Sequence, residues 1–190
     1  MANGPASPEE ETILGEGRFL RLLRRGKWEL VERVGARGAA AIIALTDDRR
    51  LVLISQPRPA LGGAVIELPA GLVGDDPGCE DEDAAIAAAR ELTEETGYEA
   101  AKVERLTAGP TSPGLTDEQI TLYWATGLRR VGPGGGLESE SITVHEIPLG
   151  EVEGWLAERA AVGDHVDLKV YAGLYFAHAR APAADREASA

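Results

Sequence analysis

The chain has 190 residues, 44% of them apolar and 27% charged, with a formal net charge of −13. That length predicts one domain with a substantial core, and so acidic a surface argues against nucleic acid, whose phosphates it repels. No apolar run approaches membrane-spanning length, and the opening MANGPASPEEE lacks a basic-then-apolar signal, so the expectation is a cytoplasmic protein that engages no membrane. Cys79 is the single cysteine, which leaves no intrachain disulfide and no cysteine metal cluster.

Residues 1–11 read as a disordered tail, 12–36 as an N-terminal β extension, 37–180 as the main domain and 181–190 as a second disordered tail. Segments 19–23 and 28–34 alternate around Arg25-Gly26 and predict a hairpin. The apolar runs 39–45 and 51–56, separated by Thr46-Asp47-Asp48, predict strand, turn and strand. A short strand over 65–68 leads into Pro69-Ala70-Gly71, and a loop of glycine, proline and acids follows over 73–81. The Ala-rich run 84–89 then opens a helix that continues through RELTEETGY at 90–98, with Gly97 as its terminator. Strands are expected over 101–108, 120–128 and 141–147, and GPGGG at 132–136 reads as a flexible loop. Helices are expected over 151–161 and 167–179, the second with an apolar stripe of Leu168, Tyr171, Leu174 and Tyr175. Trp124 and Trp155 are expected in the core, and His145, His165 and His178 as structural or surface residues. Strands interrupted by helices without regular βαβ alternation predict an α+β fold with a mixed sheet.

The helix at 84–96 carries the chemistry. Glu91 and Glu95 are four apart and share one face, about 6 Å apart along the axis. Glu94 lies close to the same stripe. Like charges so placed cost helix stability unless they share a cation, and hard dications such as Mg2+ or Mn2+ take clustered carboxylate oxygens. The alternative is a solvated acidic face.

RELTEETGY, with seven residues between Glu82 and Arg90, resembles the second half of the Nudix box, GX5EX7REUXEEXGU with U apolar. Leu92 and Tyr98 fill its apolar positions. The departure is at Gly71, with ten residues between it and Glu82 where the pattern has five, an insertion that falls in the 73–81 loop. The resemblance implies an α/β/α sandwich with a mixed sheet. It also implies a site in which the Ala70 carbonyl, Glu91, Glu94, Glu95 and Glu140 hold Mg2+, with Mn2+ as a possible substitute. Arg90 would orient a box glutamate, and Glu82 would support the helix start.

QPRPALGG at 56–63 and TSPGLTDE at 111–118, with Pro113 fifteen residues beyond Tyr98, resemble the ADP-ribose pyrophosphatase branch of that family. The branch implies hydrolysis of ADP-ribose to AMP and ribose 5-phosphate, with Arg58 gripping a phosphate and Leu72 and Pro113 against substrate. KWELVER at 27–33 resembles the nucleotide-reaching segment of its dimeric members. Trp28 would then stack on adenine, Glu29 accept from its amino group and Arg33 meet phosphate, partly across a homodimer interface. Otherwise Trp28 is a core residue of the hairpin. Glu138 and Glu140, beyond the glycine loop, are the candidates for the catalytic base, with Glu94 also in the catalytic set. Glu67 is either a metal or substrate contact or a strand-edge acid. Two alternatives stay open: the same chemistry on a sugar nucleotide, NADH or a diadenosine polyphosphate, and a silent module that binds ADP-ribose without cleaving it.

Overall fold

A computed structural model describes residues 11–74, 78, 81–136 and 140–180. Most of both expected tails, Cys79 and Glu138 lie outside the described residues. The N-terminal extension is a three-stranded antiparallel sheet, β1 (Glu11–Glu16), β2 (Leu20–Arg25) and β3 (Trp28–Arg33), paired in that order. The expected hairpin is β2–β3, turning at Gly26 with φ +59°, the backbone region where glycine is least penalised. β1 is the addition; every residue in it is exposed, so no buried face marked it in the sequence.

The main sheet begins with β4 (Ala39–Leu45) and β5 (Arg50–Arg58), then β6 (Gly63–Glu67) and the three-residue β7 (Ala70–Leu72). β8 (Tyr98–Pro110), β9 (Gln119–Arg130), β10 (Thr143–Pro148) and β11 (His165–Val166) complete it. The sheet is mixed, with β4 parallel to β9 and β11 parallel to β6 while the other pairs are antiparallel. It also forks. One edge of β4 pairs with β7 over Ala39–Ala41 and with β5 at Ala44 and Leu45. At the fork the Ile42 N–H donates to the Pro69 carbonyl at 2.9 Å, so the chain entering β7 is held from below.

Side chains alternate faces along a strand, and β4 feeds two cores. Ala40, Ile42 and Ala44 pack beneath α1 (Ala84–Thr96) with Val52, Ala87, Ala88 and Leu92. Ala41 and Ile43 face α2 (Val152–Ala161) and α3 (Leu168–Arg180) with Leu51, Leu53, Ile66, Trp124, Leu156 and Leu174. This is the expected α/β/α sandwich with a mixed sheet. Trp124 is in the core as expected, and Trp155 is only partly buried at its edge.

The expected stripe on α3 is corrected. Leu168, Tyr171 and Tyr175 are exposed, at 81%, 48% and 70%, and the buried face is Val170, Gly173, Leu174 and Ala177. The physical reason is the closeness of the helix to the sheet. A Cβ at Gly173 would stand 3.1 Å from Leu68 and 3.4 Å from Ile43, so the helix lies on the sheet at a residue without a side chain, and this sets which of its faces turns inward. No helix among the described residues is long and apolar enough to cross a membrane.

Candidate active site

Asp83 caps α1 at its start, its Oδ1 accepting from the Ala85 N–H at 2.8 Å, and Gly97 ends it at φ +73°. Between those stops the helix turns its acids toward β7. The Glu95 Oε2 accepts from the Ala70 N–H at 2.9 Å, and Glu95 is only 4% exposed. Burial pushes its carboxyl up to about 8 against the lowering effect of that hydrogen bond, and the charges of Glu91, Glu140 and Glu67 push the same way. Glu91 lies against Gly71, where a Cβ would overlap its carboxyl carbon at 2.1 Å. A glycine is therefore required at 71 for the carboxylate to sit against the strand.

Arg90 organises the remaining acids. Its Nη1 donates to Glu91 Oε1 at 3.0 Å and to Glu94 Oε2 at 3.3 Å, and its Nη2 donates to Glu82 Oε2 at 3.4 Å. Burial works against the guanidinium charge, but the Glu82 hydrogen bond and the charges of Glu91, Glu82 and Glu94 outweigh it and hold Arg90 more firmly protonated than usual. Among the described residues no three acidic, histidine or cysteine side chains already converge as a metal cage. Glu91 and Glu94 turn to Arg90, and Glu95 to Ala70. The donor set nonetheless suits a hard dication: oxygen ligands with an excess of negative charge around a buried carboxylate.

On the other side of Ala70 opens a cleft of about 250 Å³, lined by Arg33, Arg58, Glu67, Ala70, Gly71, Leu72, Thr111, Glu118, Ile120 and Lys169 among others. Ala70 thus belongs to both regions, with its N–H on Glu95 and its residue in the cleft wall. The cleft cations are paired within the chain. Arg58 grips Glu67 bidentately, Nε to Oε1 at 3.0 Å and Nη2 to Oε2 at 2.7 Å, while Gln56 donates to the same carboxylate at 2.9 Å. Arg33 Nε donates to Glu118 Oε1 at 2.8 Å, and Lys169 pairs with Asp167. Glu67 is buried at 8% exposure and is spoken for by Arg58 and Gln56.

The sequence-derived substrate set divides here. Arg33, Arg58 and Leu72 share the cleft beside Ala70. Trp28, Glu29 and Pro113 line a separate one of about 200 Å³ with Arg25, Leu30 and Leu115. Trp28 and Arg33 sit at opposite ends of β3, about 17 Å apart at strand rise, and their odd separation sends them to opposite faces. Trp28 is 61% exposed and so is not the core residue of the hairpin.

Lys169 had no signal in the sequence, and Thr111 none beyond its place in TSPGLTDE. Only the tertiary arrangement brings the first turn of α3 and the loop after β8 to this cleft. Of the loop acids, Glu140 is close enough to Glu95 to raise its carboxyl. His145 is a structural residue. Its Nε2 lies 2.8 Å from Ser55 Oγ, and its ring centroid is 4.9 Å from that of Trp155.

Residues 36–166 match the family model described as the NUDIX domain. A methanol dehydrogenase activator of Bacillus methanolicus is 37% identical over 162 residues, covering 80% of this chain and 85% of that protein. An ADP-ribose pyrophosphatase of Mycobacterium tuberculosis is 38% identical over 152 residues, covering 80% and 68%. A crystal structure of an ADP compounds hydrolase superposes with a TM-score of 0.64 at 21% identity, covering 83% of this chain and 85% of that one, and supports the fold. The acid-bearing helix capped by Asp83 and Gly97, the Ala70–Gly71 strand it faces and the extent of these matches place the chain in the Nudix family.

Proposed function

We propose that this Nudix hydrolase cleaves the pyrophosphate of ADP-ribose, giving AMP and ribose 5-phosphate. The observation that carries the reading is the double role of Ala70, which joins the buried acidic cluster on α1 to a cleft whose cations suit phosphates. The similarity to an ADP-ribose pyrophosphatase over most of the chain supports the choice of substrate.

Glu91, Glu94, Glu95, Glu140 and the Ala70 carbonyl would hold divalent cations, Mg2+ by preference with Mn2+ able to replace it. Bound there, such a cation neutralises pyrophosphate charge and lowers the pKa of a water to the neutral range. The chain's own residues do the rest. Arg90 keeps Glu91 and Glu94 oriented on the helix face. Glu140 accepts the proton of the attacking water, Glu138 being the second candidate. The water oxygen bonds to phosphorus as the bridging P–O bond breaks, and the released phosphate leaves as a dianion. Arg33 and Arg58 take the phosphate oxygens by exchanging part of their contact with Glu118 and Glu67, bidentate geometry being what a guanidinium offers an oxyanion. Leu72 gives the cleft an apolar wall.

Trp28 and Glu29, at the far end of β3 from Arg33, serve the nucleotide bound by a second copy, so the working form is a homodimer in the cytoplasm. The apolar side chains exposed on the N-terminal sheet support this. Ile13, Phe19, Leu20 and Leu22 stand at 53%, 61%, 47% and 40% exposure, and Leu20 and Leu22 share one face of β2, apolar area that a second copy would cover.

The test is a panel of ADP-ribose, sugar nucleotides, NADH and diadenosine polyphosphates with Mg2+, with products separated and identified. ADP-ribose should give the highest kcat/KM. A higher value for another compound moves the assignment to that substrate, and binding of ADP-ribose without turnover makes the chain a silent module.

A further inference from the structure

The GPGGG segment, whose composition reads as flexible, is seated on the C-terminus of α1. Its backbone supplies hydrogen bonds in register: Gly135 N–H to the Glu95 carbonyl at 2.8 Å and Gly136 N–H to the Glu94 carbonyl at 3.0 Å. Val131 and Gly132 N–H groups reach the Gly97 carbonyl at 2.8 and 3.2 Å. The last carbonyls of a helix lack intrahelical partners. Here two of them are on Glu94 and Glu95, the residues whose side chains form the acidic cluster. Arg130 adds a hold from behind, with Nη1 on Glu146 at 2.6 Å and Nη2 on the Pro133 carbonyl at 3.3 Å.

At Gly134 the contact is too close for a side chain. With φ +70° there, a Cβ would stand 2.4 Å from the Thr96 carbonyl carbon and 2.8 Å from the Glu95 oxygen, both rigid backbone. At Gly136, φ +75°, it would overlap Glu140 Oε2 at 2.2 Å. One strip of glycine backbone therefore touches Glu94 and Glu95 at one point and Glu140 at the next.

We propose that Gly134 is a positioning residue for hydrolysis: its bare backbone lets the loop dock on the Glu94 and Glu95 carbonyls, which fixes Glu140 against the acidic cluster carried by the same helix. The inference rests on the reading that Glu140 acts at that cluster. A carboxylate that must meet an attacking water is sensitive to displacements of about 1 Å, which can cost on the order of a hundredfold in rate. A docked loop removes that freedom before substrate arrives.

The test compares Gly134→Ala with Gly163→Ala. Gly163 has φ +102° and nothing within 4 Å of a built Cβ, so its variant carries the backbone cost without a clash and lies away from the site. In Gly134→Ala, kcat for ADP-ribose should fall about tenfold or more with KM within about twofold. The Gly135 and Gly136 amides of the metal-free protein should also exchange with solvent faster. Gly163→Ala should show neither effect. Wild-type kcat in a folded Gly134→Ala, or unchanged protection of those amides, overturns the proposal. If Gly134→Ala does not fold, Arg130→Met loosens the loop without inserting an atom; kcat must fall with KM held, and a normal kcat there overturns it equally. Wild-type turnover is measured first. Its absence refutes the functional reading, whereas an active wild type with an indifferent loop variant refutes the docking role alone.

Discussion

Arg58 shows what a residue's own chemistry does and does not disclose. A guanidinium among prolines reads as a phosphate ligand, yet its first partner in the fold is the buried Glu67 carboxylate. Arg58→Met should raise KM for ADP-ribose by about tenfold or more, the scale of one charge-assisted hydrogen bond, with kcat less affected. An unchanged KM would remove Arg58 from the substrate set. The variant should also lose stability, because Glu67 would keep only Gln56 as its neutral partner in a buried setting. His145 carries the pH dependence at this scale. Burial lowers its pKa below the usual histidine value, and the Arg159 charge adds to this against Asp164. The folded state thus prefers the neutral ring. The stability it contributes is present above the unfolded pKa of about 6.5 and is lost as pH falls through the lower folded value, since the unfolded chain then binds the proton more readily. Between pH 7.5 and 5.5 the wild-type Tm should fall relative to that of His145→Gln, since the opposite contribution of the raised Glu95 carboxyl is common to both proteins. Equal changes in both proteins would contradict this.

At the scale of elements, the box helix was the most legible part, because its signals are local. Asp83 offers a carboxylate to the first free N–H groups, and Gly97 tolerates φ +73°. Removing the cap in Asp83→Ala should cost about 1 kcal/mol, read as a lower urea midpoint at constant slope; an unchanged midpoint would show the cap idle. The strands in both cores were legible from apolar runs. What was not legible depended on distant partners. β1 buries nothing within the chain, and β7 and β11 are too short to show a period. α3 misled because Tyr171 and Tyr175 carry the larger apolar groups, whereas the helix meets Leu68 and Ile43 at Gly173, where even a Cβ would crowd. The glycine loop misled in the same way. Its composition is that of a flexible linker, and its order comes from the Glu94 and Glu95 carbonyls it meets.

At the scale of the molecule, the acids were legible as a group and the cleft was not. Glu91, Glu94 and Glu95 declare themselves by helical spacing, whereas Lys169 reaches the same cleft from α3 and Thr111 and Glu118 from the loop between β8 and β9. The placement of Trp28 away from Arg33 supports the dimer, since one chain offers its aromatic face where its own cleft does not reach. Light scattering at micromolar concentration should give twice the mass of one chain, and Trp28→Ala should raise KM in the dimer. A monomer that turns over ADP-ribose at full rate would remove the cross-subunit role. The most direct measurement is turnover of ADP-ribose by wild type and by Glu95→Gln across a Mg2+ titration, with AMP and ribose 5-phosphate quantified. Wild type should release the two products in equal amounts and only with a divalent cation present. Glu95→Gln, correctly folded, should lose several orders of magnitude in kcat, because charge stabilisation through such a site is worth several kcal/mol. Near-normal turnover by Glu95→Gln, or wild-type turnover that survives chelation, would contradict the acidic cluster as the catalytic centre.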